Sequence, residues 1–258
     1  MTRRICVSGA SSGIGARIAV DLARDDTDLT LLARRADRLD EVATRAREAG
    51  AASVSPVAVD LSEPGEALTT ALKTATANGG FDVIVAAAGA NAALSGDAPA
   101  GLAEAGGAAW AAWHWEANFR ANVLTAVTLI EGLRELGGVA DGASILLFSS
   151  IAAYRGSGSG SYAGTKAALH PYAYDLASAL GPDGVRVNVV APGYIAETGF
   201  FQGQMSAQRH ETLAGQTLLG RAGVPEDVSG TVRWLASPAS RHVTGQIIQI
   251  NGGAQLGH

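Results

Sequence analysis

Residues 5–15 read ICVSGASSGIG, a short apolar run followed at once by a turn rich in glycine and serine. The glycines allow a tight turn in which no side chain separates the backbone from a ligand. A helix beginning near Gly13 would present free N–H groups and the positive end of its dipole to an anion. Glycine is common in any strand-to-helix turn, but this turn follows the first strand and so favours a dinucleotide pyrophosphate. The expected contact residues are Gly9, Ser11, Ser12, Gly13, Ile14 and Gly15.

Short apolar runs alternate with longer amphipathic segments along the whole chain. Most runs lack the polar/apolar alternation of a half-exposed strand, as expected where helices cover both faces of a parallel sheet. Strands are predicted at 5–7, 29–33, 54–59, 83–87, 145–148, 185–191 and 246–250, and helices at 14–24, 37–49, 63–78, 118–136, 162–180 and 225–236. The fold class is therefore α/β, a Rossmann-type doubly wound parallel sheet of about seven strands with helices on both faces. Ligands of such a sheet lie beyond the carboxyl ends of its strands.

The composition bounds the partners and the location. The chain has 258 residues, 47% of them hydrophobic, and no linker, so residues 1–258 are expected to form a single dinucleotide-binding and catalytic domain. A formal charge of −5 without a basic block argues against nucleic acid or an anionic membrane as partner. No run approaches the ~20 apolar residues of a membrane helix. The one cysteine, Cys6, is expected to be a buried strand residue, which fits a reducing cytoplasm. No metal is expected.

The residues after the second predicted strand are basic. Ala33 is followed by Arg34 and Arg35, then by Arg38, and the nearest carboxylate is Asp37. A dinucleotide fold places here either a carboxylate for the ribose 2′-hydroxyl or an arginine for a 2′-phosphate. Because a guanidinium binds phosphate in bidentate fashion and a carboxylate repels it, the sequence favours NADP(H) over NAD(H). The alternative is a solvated helix start that is simply rich in arginine.

Asp60 and Leu61 end the third predicted strand. At this edge of the sheet Asp60 is placed to hydrogen-bond the adenine amino group of a dinucleotide. The alternative is that Asp60 is the N-terminal cap of the next helix, a role that carboxylates commonly have. The sequence leaves both readings open.

Tyr162 and Lys166 open a long apolar helix after a loop rich in glycine and serine. Residues four apart lie on one helix face, so the phenol and the ammonium point together. A neighbouring positive charge lowers the pKa of a phenol, which lets it exchange a proton with an alcohol or carbonyl oxygen. Taken alone, this spacing more often marks a solvated helix surface.

Together these landmarks resemble the short-chain dehydrogenase/reductase family in its compact single-domain branch, from about Arg4 to Gly253. The resemblance makes Tyr162 and Lys166 a proton-transfer pair that also contacts the cofactor. It identifies Ser149 or Ser150 as the serine that hydrogen-bonds the substrate oxygen. Counting along the strand favours Ser150, while counting back from Tyr162 favours Ser149. Asn122 is similar to the helix asparagine that holds a water in the family's proton relay; otherwise it is an ordinary polar residue inside a helix.

Later landmarks agree with the resemblance. The run 188–195 is similar to the family's strand and turn beside the nicotinamide, and the 220–221, 225–227, 244–245 and 251–253 runs match its C-terminal pattern. By that similarity the Ile195 backbone and Thr198 would meet the carboxamide. The further cofactor contacts that the resemblance implies are Gly89, Pro192 and Gly193.

One departure from the family lies after the fourth predicted strand. Where the family usually carries Asn-Asn-Ala-Gly, this chain has Ala86, Ala87 and Ala88 before Gly89. Gly89 keeps the close backbone approach, but a polar side chain that ties neighbouring strands is missing. We interpret this as a cost in local stability or a compensated change, and restoring an asparagine at 86 is expected to stabilise the fold.

The implied activity is NADP(H)-dependent reduction of a ketone or other carbonyl by hydride transfer, with Tyr162 as proton donor. Alternatives are an alcohol dehydrogenase working in the oxidative direction, a silent dinucleotide-binding regulator, and a lyase or epimerase that uses the cofactor transiently. The family is often dimeric or tetrameric through helices corresponding to 118–136 and 162–180, so a homo-oligomer, a tetramer first, is expected.

The substrate region is the least specified. Residues 193–223 are interpreted as a substrate-covering segment, or else as a plain surface excursion. Phe200 and Phe201 in that segment are candidates for lining a substrate pocket. The aromatic residues before the 118–136 helix are candidates too, although packing of that helix or of an oligomer interface is the better reading for them; they are Trp110, Trp113, His114 and Trp115.

Overall fold

A parallel sheet is the frame of the molecule. The computed structural model describes residues 2–95, 98–201, 203 and 205–257. Its strands are β1 (Arg3–Ser8), β2 (Thr27–Ala33), β3 (Ser53–Ala58), β4 (Phe81–Ala86), β5 (Val139–Phe148), β6 (Arg186–Pro192) and β7 (Ile247–Ile250). Over the described residues these seven strands pair in the order β3-β2-β1-β4-β5-β6-β7, all in parallel. The predicted fold class is confirmed.

Helices cover both faces of the sheet. They are α1 (Gly13–Leu22), α2 (Ala36–Glu48), α3 (Glu66–Thr76), α4 (Ala92–Ser95), α5 (Leu102–Ala105), α6 (Gly107–Phe119), α7 (Thr125–Glu135), α8 (Ala152–Arg155), α9 (Gly160–Leu180), α10 (Ala207–Gly215) and α11 (Pro225–Ala236). Helices α1, α2 and α11 bury apolar stripes in one cluster, represented by Ile18, Leu39 and Val232. Helices α3, α7 and α9 form the cluster on the opposite face, with Leu72 and Leu129 among its members. Because both faces are covered, the central strands are mostly apolar and do not alternate between polar and apolar residues.

The strand order reverses at β1, which lies between β2 and β4. At this point the turn after β1 meets the chain leaving β4. A Cβ on Gly9 would lie 2.8 Å from the backbone of Ala87, and Gly9 has a φ of +67°. Only glycine fits that approach without strain. The crevice outside such a reversal is where this architecture binds ligands.

Two elements begin well before their predicted bounds. The helix preceding Asn122 begins at Gly107, eleven residues before the predicted start at 118. Its alanines and tryptophans show no contrast between a polar and an apolar face, so the helical period is invisible in the sequence. Strand β5 begins at Val139, six residues early, across a register shift opposite Phe81 and Val83. Its exposed Asp141 and Gly142 interrupt any apolar run.

The segment 193–223 contains one helix, α10, of which no residue is buried. Residues 202 and 204 of this segment lie outside the described residues. Its ends are tied to the body of the protein, since Ile195 and Gly223 form a parallel bridge. The predicted helix at 225–236 is present as α11.

Two smaller expectations are met. Cys6 is fully buried in β1, and burial raises the pKa of its thiol to about 12, so it is an unreactive core residue. No helix among the described residues combines the length and the hydrophobicity needed to cross a membrane.

Candidate active site

Tyr162 and Lys166 lie on the first two turns of α9, on the face turned toward the sheet. Their relative exposures are 8% and 5%. Such burial is unusual for a lysine and excludes the reading of this pair as a solvated helix surface. Both side chains therefore lie near the carboxyl ends of the central strands, where ligands of this fold bind.

The two candidate serines have different environments. Ser149 Oγ donates to the Lys166 carbonyl at 2.9 Å and contacts His170 Nε2 at 2.8 Å, so its hydroxyl is engaged by the helix. The Ser150 side chain interacts with the Tyr162 hydroxyl, and this interaction lowers the pKa of the phenol. The structure therefore brings Ser150 together with Tyr162 and leaves Ser149 as a support for α9.

Lys166 is held at the end of β5. Its Nζ donates to the Phe148 carbonyl at 2.9 Å. A Cβ on Gly89 would lie 2.8 Å from this Nζ and 2.8 Å from Asn122 Oδ1, so only a glycine at 89 leaves room for both groups. Burial lowers the pKa of Lys166 to about 8, because the charged form loses hydration.

The pKa of Tyr162 differs from the sequence expectation. Burial raises it to about 12, and the hydrogen bond from Ser150 offsets that only in part. The charge of Lys166, directed at Phe148, does not overcome the burial. At neutral pH the phenol therefore keeps its proton, which makes it a proton donor rather than a base in the protein without cofactor.

Asn122 lies in a five-residue π-helical turn, Arg120–Leu124, between α6 and α7. Such turns recur at functional sites because one extra residue redirects the side chains. Asn122 accepts from the Ala90 N–H at 3.1 Å and donates to the Ala90 carbonyl at 2.8 Å. It also reaches Thr165 Oγ1 on α9 at 3.4 Å. The amide thus joins the segment after β4 to the helix that carries Tyr162 and Lys166.

The alanines at 86–88, which end β4 and follow it, lie in environments made by other parts of the chain. The Ala88 N–H donates to Ser8 Oγ at 3.2 Å, and Ser8 is fully buried. The Ala86 side chain belongs to the apolar cluster under α3 and α7. An asparagine at 86 would therefore enter an aliphatic environment, which opposes the expected stabilisation.

The glycine turn has the geometry of a phosphate cradle. A Cβ on Gly15 would lie 2.4 Å from the Gly9 carbonyl oxygen, and one on Gly13 would lie 2.9 Å from the Thr198 carbonyl oxygen. Ser12 caps α1 in an extended conformation without a side-chain capping bond. Ile14 follows in the first turn of α1. The residues therefore fit a dinucleotide pyrophosphate at a helix N-terminus.

The segment after β6 lies against that turn. The Gly193 N–H donates to the Ile250 carbonyl at 2.9 Å, which fixes the chain as it leaves Pro192. Ile195 is buried, and the carbonyl of Thr198 is the group nearest to Gly13. Among the described residues other than glycine, Glu197 alone has a positive φ, 61°. Strain of this kind collects at functional sites.

The two arginines after β2 have separate partners. Arg35 Nη2 donates to Ser11 Oγ at 3.2 Å and to Ser12 Oγ at 3.1 Å. Arg34 is directed at Asp60, with 3.9 Å between Nη1 and Oδ2. Across the described part of the chain, no carboxylate forms an ion pair with Arg35, so its charge is available to an anion beside the glycine turn.

Asp60 is not a helix cap. Its Oδ1 accepts from the Ser62 N–H at 2.9 Å and from Ser62 Oγ at 2.7 Å, which closes a local turn. Helix α3 begins six residues later, at Glu66. Leu61 is buried next to this turn. The second carboxylate oxygen of Asp60 is the one that Arg34 approaches.

A cleft of about 450 Å³ opens at this end of the site. It runs from the glycine turn between α1 and α2. Its lining includes four arginines and three glutamates, namely Arg17, Arg35, Arg38, Arg45, Glu41, Glu197 and Glu226. Two of the arginines are already paired, Arg38 with Glu41 and Arg17 with Glu226. The cleft is therefore a polar, basic mouth suited to a phosphorylated ribose.

The aromatic candidates fall into two groups. The Phe200 ring lies 5.8 Å from the Tyr162 ring, so the segment 193–223 reaches the reacting centre. Trp110, Trp113 and His114 stack on one another within α6. Trp115 packs on Gly164 of α9. Packing of the helix is thus the role that the structure gives to the tryptophans.

Sequence reasoning missed two residues beside the site. Asn118 is fully buried one turn before Asn122, and its Nδ2 donates to Ser161 Oγ at 3.0 Å. Ser161 directly precedes Tyr162. The signal in the sequence is the four-residue spacing of the two asparagines, which places them on one helix face.

Comparisons with known proteins agree with this geometry. A family model described as enoyl-(acyl carrier protein) reductase matches residues 9–255. Galactitol 2-dehydrogenase (L-tagatose-forming) of Cereibacter sphaeroides is 32% identical, over 96% of this chain and 92% of its own. Cis-4-hydroxycyclohexanecarboxylate dehydrogenase of Sinomonas cyclohexanicum is also 32% identical, over 96% and 94%.

A solved structure of similar shape comes from Beutenbergia cavernae. It is a proposed NAD(P)-dependent gluconate 5-dehydrogenase with NADP bound at low occupancy. It is 30% identical to this chain, covers 98% of it and 96% of its own length, and has a TM-score of 0.82.

Proposed function

Since the chain belongs to the short-chain dehydrogenase/reductase family, we propose that it is an NADP(H)-dependent oxidoreductase that reduces a ketone to a secondary alcohol. One observation carries the proposal: Tyr162 and Lys166 are buried one helical turn apart on the same face of α9, and the Ser150 side chain interacts with the Tyr162 hydroxyl. Two hydroxyls that meet beside a cation can bind one carbonyl oxygen and give it a proton.

The proton step belongs to Tyr162. Ser150 orients the carbonyl oxygen, and the Tyr162 hydroxyl donates to it as hydride arrives at the adjacent carbon. When bound, NADPH supplies that hydride. Lys166 is proposed to hold the nicotinamide ribose and to lower the barrier for charge on the Tyr162 oxygen. Asn122 hydrogen-bonds Ala90 and Thr165. It is proposed to orient the groups that return a proton to Tyr162.

The preference for NADP(H) rests on Arg35. Its guanidinium lies against Ser11 and Ser12, where a 2′-phosphate beside the glycine turn would be bound in bidentate fashion. Arg34 lies next to Arg35 in the chain, outside the lining of the cleft between α1 and α2, and pairs with Asp60. The turn has no carboxylate directly after β2 to bind the 2′-hydroxyl of NAD(H). The remaining cofactor contacts proposed are Gly89, Leu61, Pro192, Gly193, Ile195 and Thr198.

Reduction is proposed as the direction because the pKa of Tyr162, about 12, keeps the proton on the phenol at neutral pH. The same groups run alcohol oxidation in reverse, which becomes faster as the phenol loses its proton at higher pH. A ring-sized or sugar-sized ketone is proposed as substrate. The two named relatives act, by their names, on secondary alcohols of that size, and Phe200 places an aromatic wall beside Tyr162.

A homo-oligomer is proposed as well, with a tetramer as the first expectation. Exposed aromatic side chains lie on the helices expected at its interface, Trp115 and Phe119 on α6 and Tyr174 on α9. Large apolar groups left in water commonly mark such contacts. A cytoplasmic location is proposed because the single cysteine cannot form an internal disulfide. Light scattering of the purified protein tests the assembly.

A panel of ring ketones and keto sugars, assayed with NADPH and NADH at equal concentration, tests the proposal. We expect net NADPH consumption with at least one ketone and slower turnover with NADH. Faster turnover with NADH would overturn the cofactor assignment. Cofactor binding without net consumption across the panel would favour a silent regulator, or a lyase or epimerase.

A further inference from the structure

A buried polar cluster joins the helix of Asn122 to the helix of Tyr162. We define this interhelical cluster as His114, Asn118, Asn122, Ser161 and Thr165. Asn118 and Asn122 are fully buried, and Ser161 and Thr165 are nearly so. A buried polar group is costly unless it is hydrogen-bonded, so each contact inside the cluster constrains the position of its partners.

Asn118 is the member with contacts to three separate elements. Its Oδ1 accepts from the Ala92 N–H at 3.1 Å, at the start of α4. Its Nδ2 donates to the His114 carbonyl at 3.0 Å within α6 and to Ser161 Oγ at 3.0 Å on α9. Both amide protons and the amide oxygen are therefore used, and an apolar side chain of the same size would remove all three hydrogen bonds.

The contacts of Asn118 repeat those of Asn122 one helical turn away. Asn122 binds Ala90, and its Nδ2 donates to the Asn118 carbonyl at 3.0 Å. The two amides thus hold the segment that follows Gly89 at two points, Ala90 and Ala92. Gly89 is the residue whose α-carbon faces both Lys166 Nζ and Asn122 Oδ1.

The hydrogen bond between Asn118 and Ala92 matters because residues 86–88, at the end of β4 and just after it, have no polar side chains. The hydrogen-bonded anchors of this segment include Ser8 on one side and the two asparagines on the other. Ser161 Oγ also lies 3.1 Å from His114 Nδ1, and it accepts from Asn118 Nδ2.

We propose that Asn118 is a positioning residue for the reaction: through Ala92 and Ser161 it fixes the Gly89 segment and the start of α9 so that Asn122, Lys166 and Tyr162 keep their geometry. The inference rests on the proposed oxidoreductase function. It also makes Asn118 the element that compensates for the alanines at 86–88.

The test compares Asn118→Leu with Thr125→Val. Both remove a buried polar group from the same continuous helix, but Thr125 Oγ1 donates only within its helix, to the Ala121 carbonyl at 2.8 Å. Ser161→Ala, a milder change, replaces Asn118→Leu if that variant does not fold. Three quantities are measured: amide hydrogen exchange of a peptide covering 88–93, kcat for a ketone, and the Kd of NADPH.

For Asn118→Leu we expect exchange of the 88–93 amides to rise at least tenfold and kcat to fall about 10–100-fold, with the Kd of NADPH changed less than about threefold. Ser161→Ala should lower kcat about threefold, and Thr125→Val should resemble the wild type. Asn118→Asp offers a rescue: as pH falls and the carboxyl is protonated, it regains one donor and one acceptor, so its kcat relative to wild type should rise.

Unchanged exchange of 88–93 in Asn118→Leu overturns the proposal whether or not the enzyme turns over. Raised exchange with kcat equal to that of Thr125→Val overturns it too, since Asn118 is then structural only. An inactive wild type is a different failure, that of the proposed function, and the exchange comparison still decides whether Asn118 holds the segment.

Discussion

The two ends of the candidate site are built in opposite ways. At the reacting centre Tyr162, Lys166 and Asn122 are buried, and hydrogen bonds hold Lys166 and Asn122 in place. At the adenosine end Arg34 and Arg35 are long, exposed side chains that touch the glycine turn or Asp60 only at their tips. The difference indicates that proton transfer depends on fixed geometry, while cofactor choice depends on charge that can adapt to its ligand.

The largest effect should come from the reacting centre. Tyr162→Phe removes one hydroxyl and keeps the ring that packs beside Phe200. We expect kcat to fall by about 10³-fold or more, because the hydroxyl proposed to give the carbonyl oxygen its proton is lost. The Kd of NADPH, from fluorescence titration, should stay within about threefold of wild type. Retained turnover would show that the proton comes from another group.

The next effect separates the two arginines at the exposed end. Arg35→Ala should raise the Kd of NADPH about 10–100-fold and leave that of NADH almost unchanged, since a charge-assisted phosphate contact is worth about 1.5–3 kcal/mol. Arg34→Ala is the matched control and should raise the Kd of NADPH less than Arg35→Ala does. An equal rise in the Kd of NADPH and of NADH in Arg35→Ala would mean that Arg35 binds the pyrophosphate rather than the 2′-phosphate.

A pH profile tests the buried end again. Because burial lowers the pKa of Lys166 to about 8, its positive charge is lost as pH rises through that value. If the cation is needed, kcat/KM for NADPH, which reports groups of the free enzyme, should fall above pH 8 by up to about tenfold per unit. Melting temperatures across the same range control for unfolding. A flat profile to pH 10 would show that kcat/KM for NADPH does not depend on the positive charge of Lys166.

The smallest effect concerns stability. Since the Ala86 side chain packs among aliphatic groups, Ala86→Asn buries an amide without an evident partner. We expect a cost of about 1–3 kcal/mol and a fall in melting temperature of about 2–10 °C. Ala52→Asn, at an exposed position, is the control and should change the melting temperature far less. A rise for Ala86→Asn would instead support the view that the missing asparagine weakens this chain.

The contrast between the two ends also explains what the sequence could predict. The glycine turn and the Tyr162/Lys166 spacing are local patterns, and local backbone geometry places them correctly. The choice between Ser149 and Ser150 depends on which hydroxyl α9 engages, a tertiary contact that counting along a strand only partly anticipates. Assigning Arg35 rather than Arg34 to the turn depends on side-chain direction, which a run of arginines does not encode.

Two further features could not be predicted because their causes lie across the fold. The raised pKa of Tyr162 follows from its burial, whereas the sequence showed only the nearby lysine. The role of Asn118 follows from contacts to Ala92 and Ser161, 26 and 43 residues away. The start of helix α6 was not predicted, because its small and aromatic residues have no helical period in hydrophobicity.

Deuterium transfer tests the central claim most directly. The protein is incubated with NADPH carrying deuterium at both C4 positions of the nicotinamide and with a ketone from the active panel, and the alcohol is analysed by mass spectrometry. The account predicts one deuterium on the carbinol carbon for each NADPH oxidised, and none with Tyr162→Phe. Product without deuterium, or the same transfer by Tyr162→Phe, would contradict it.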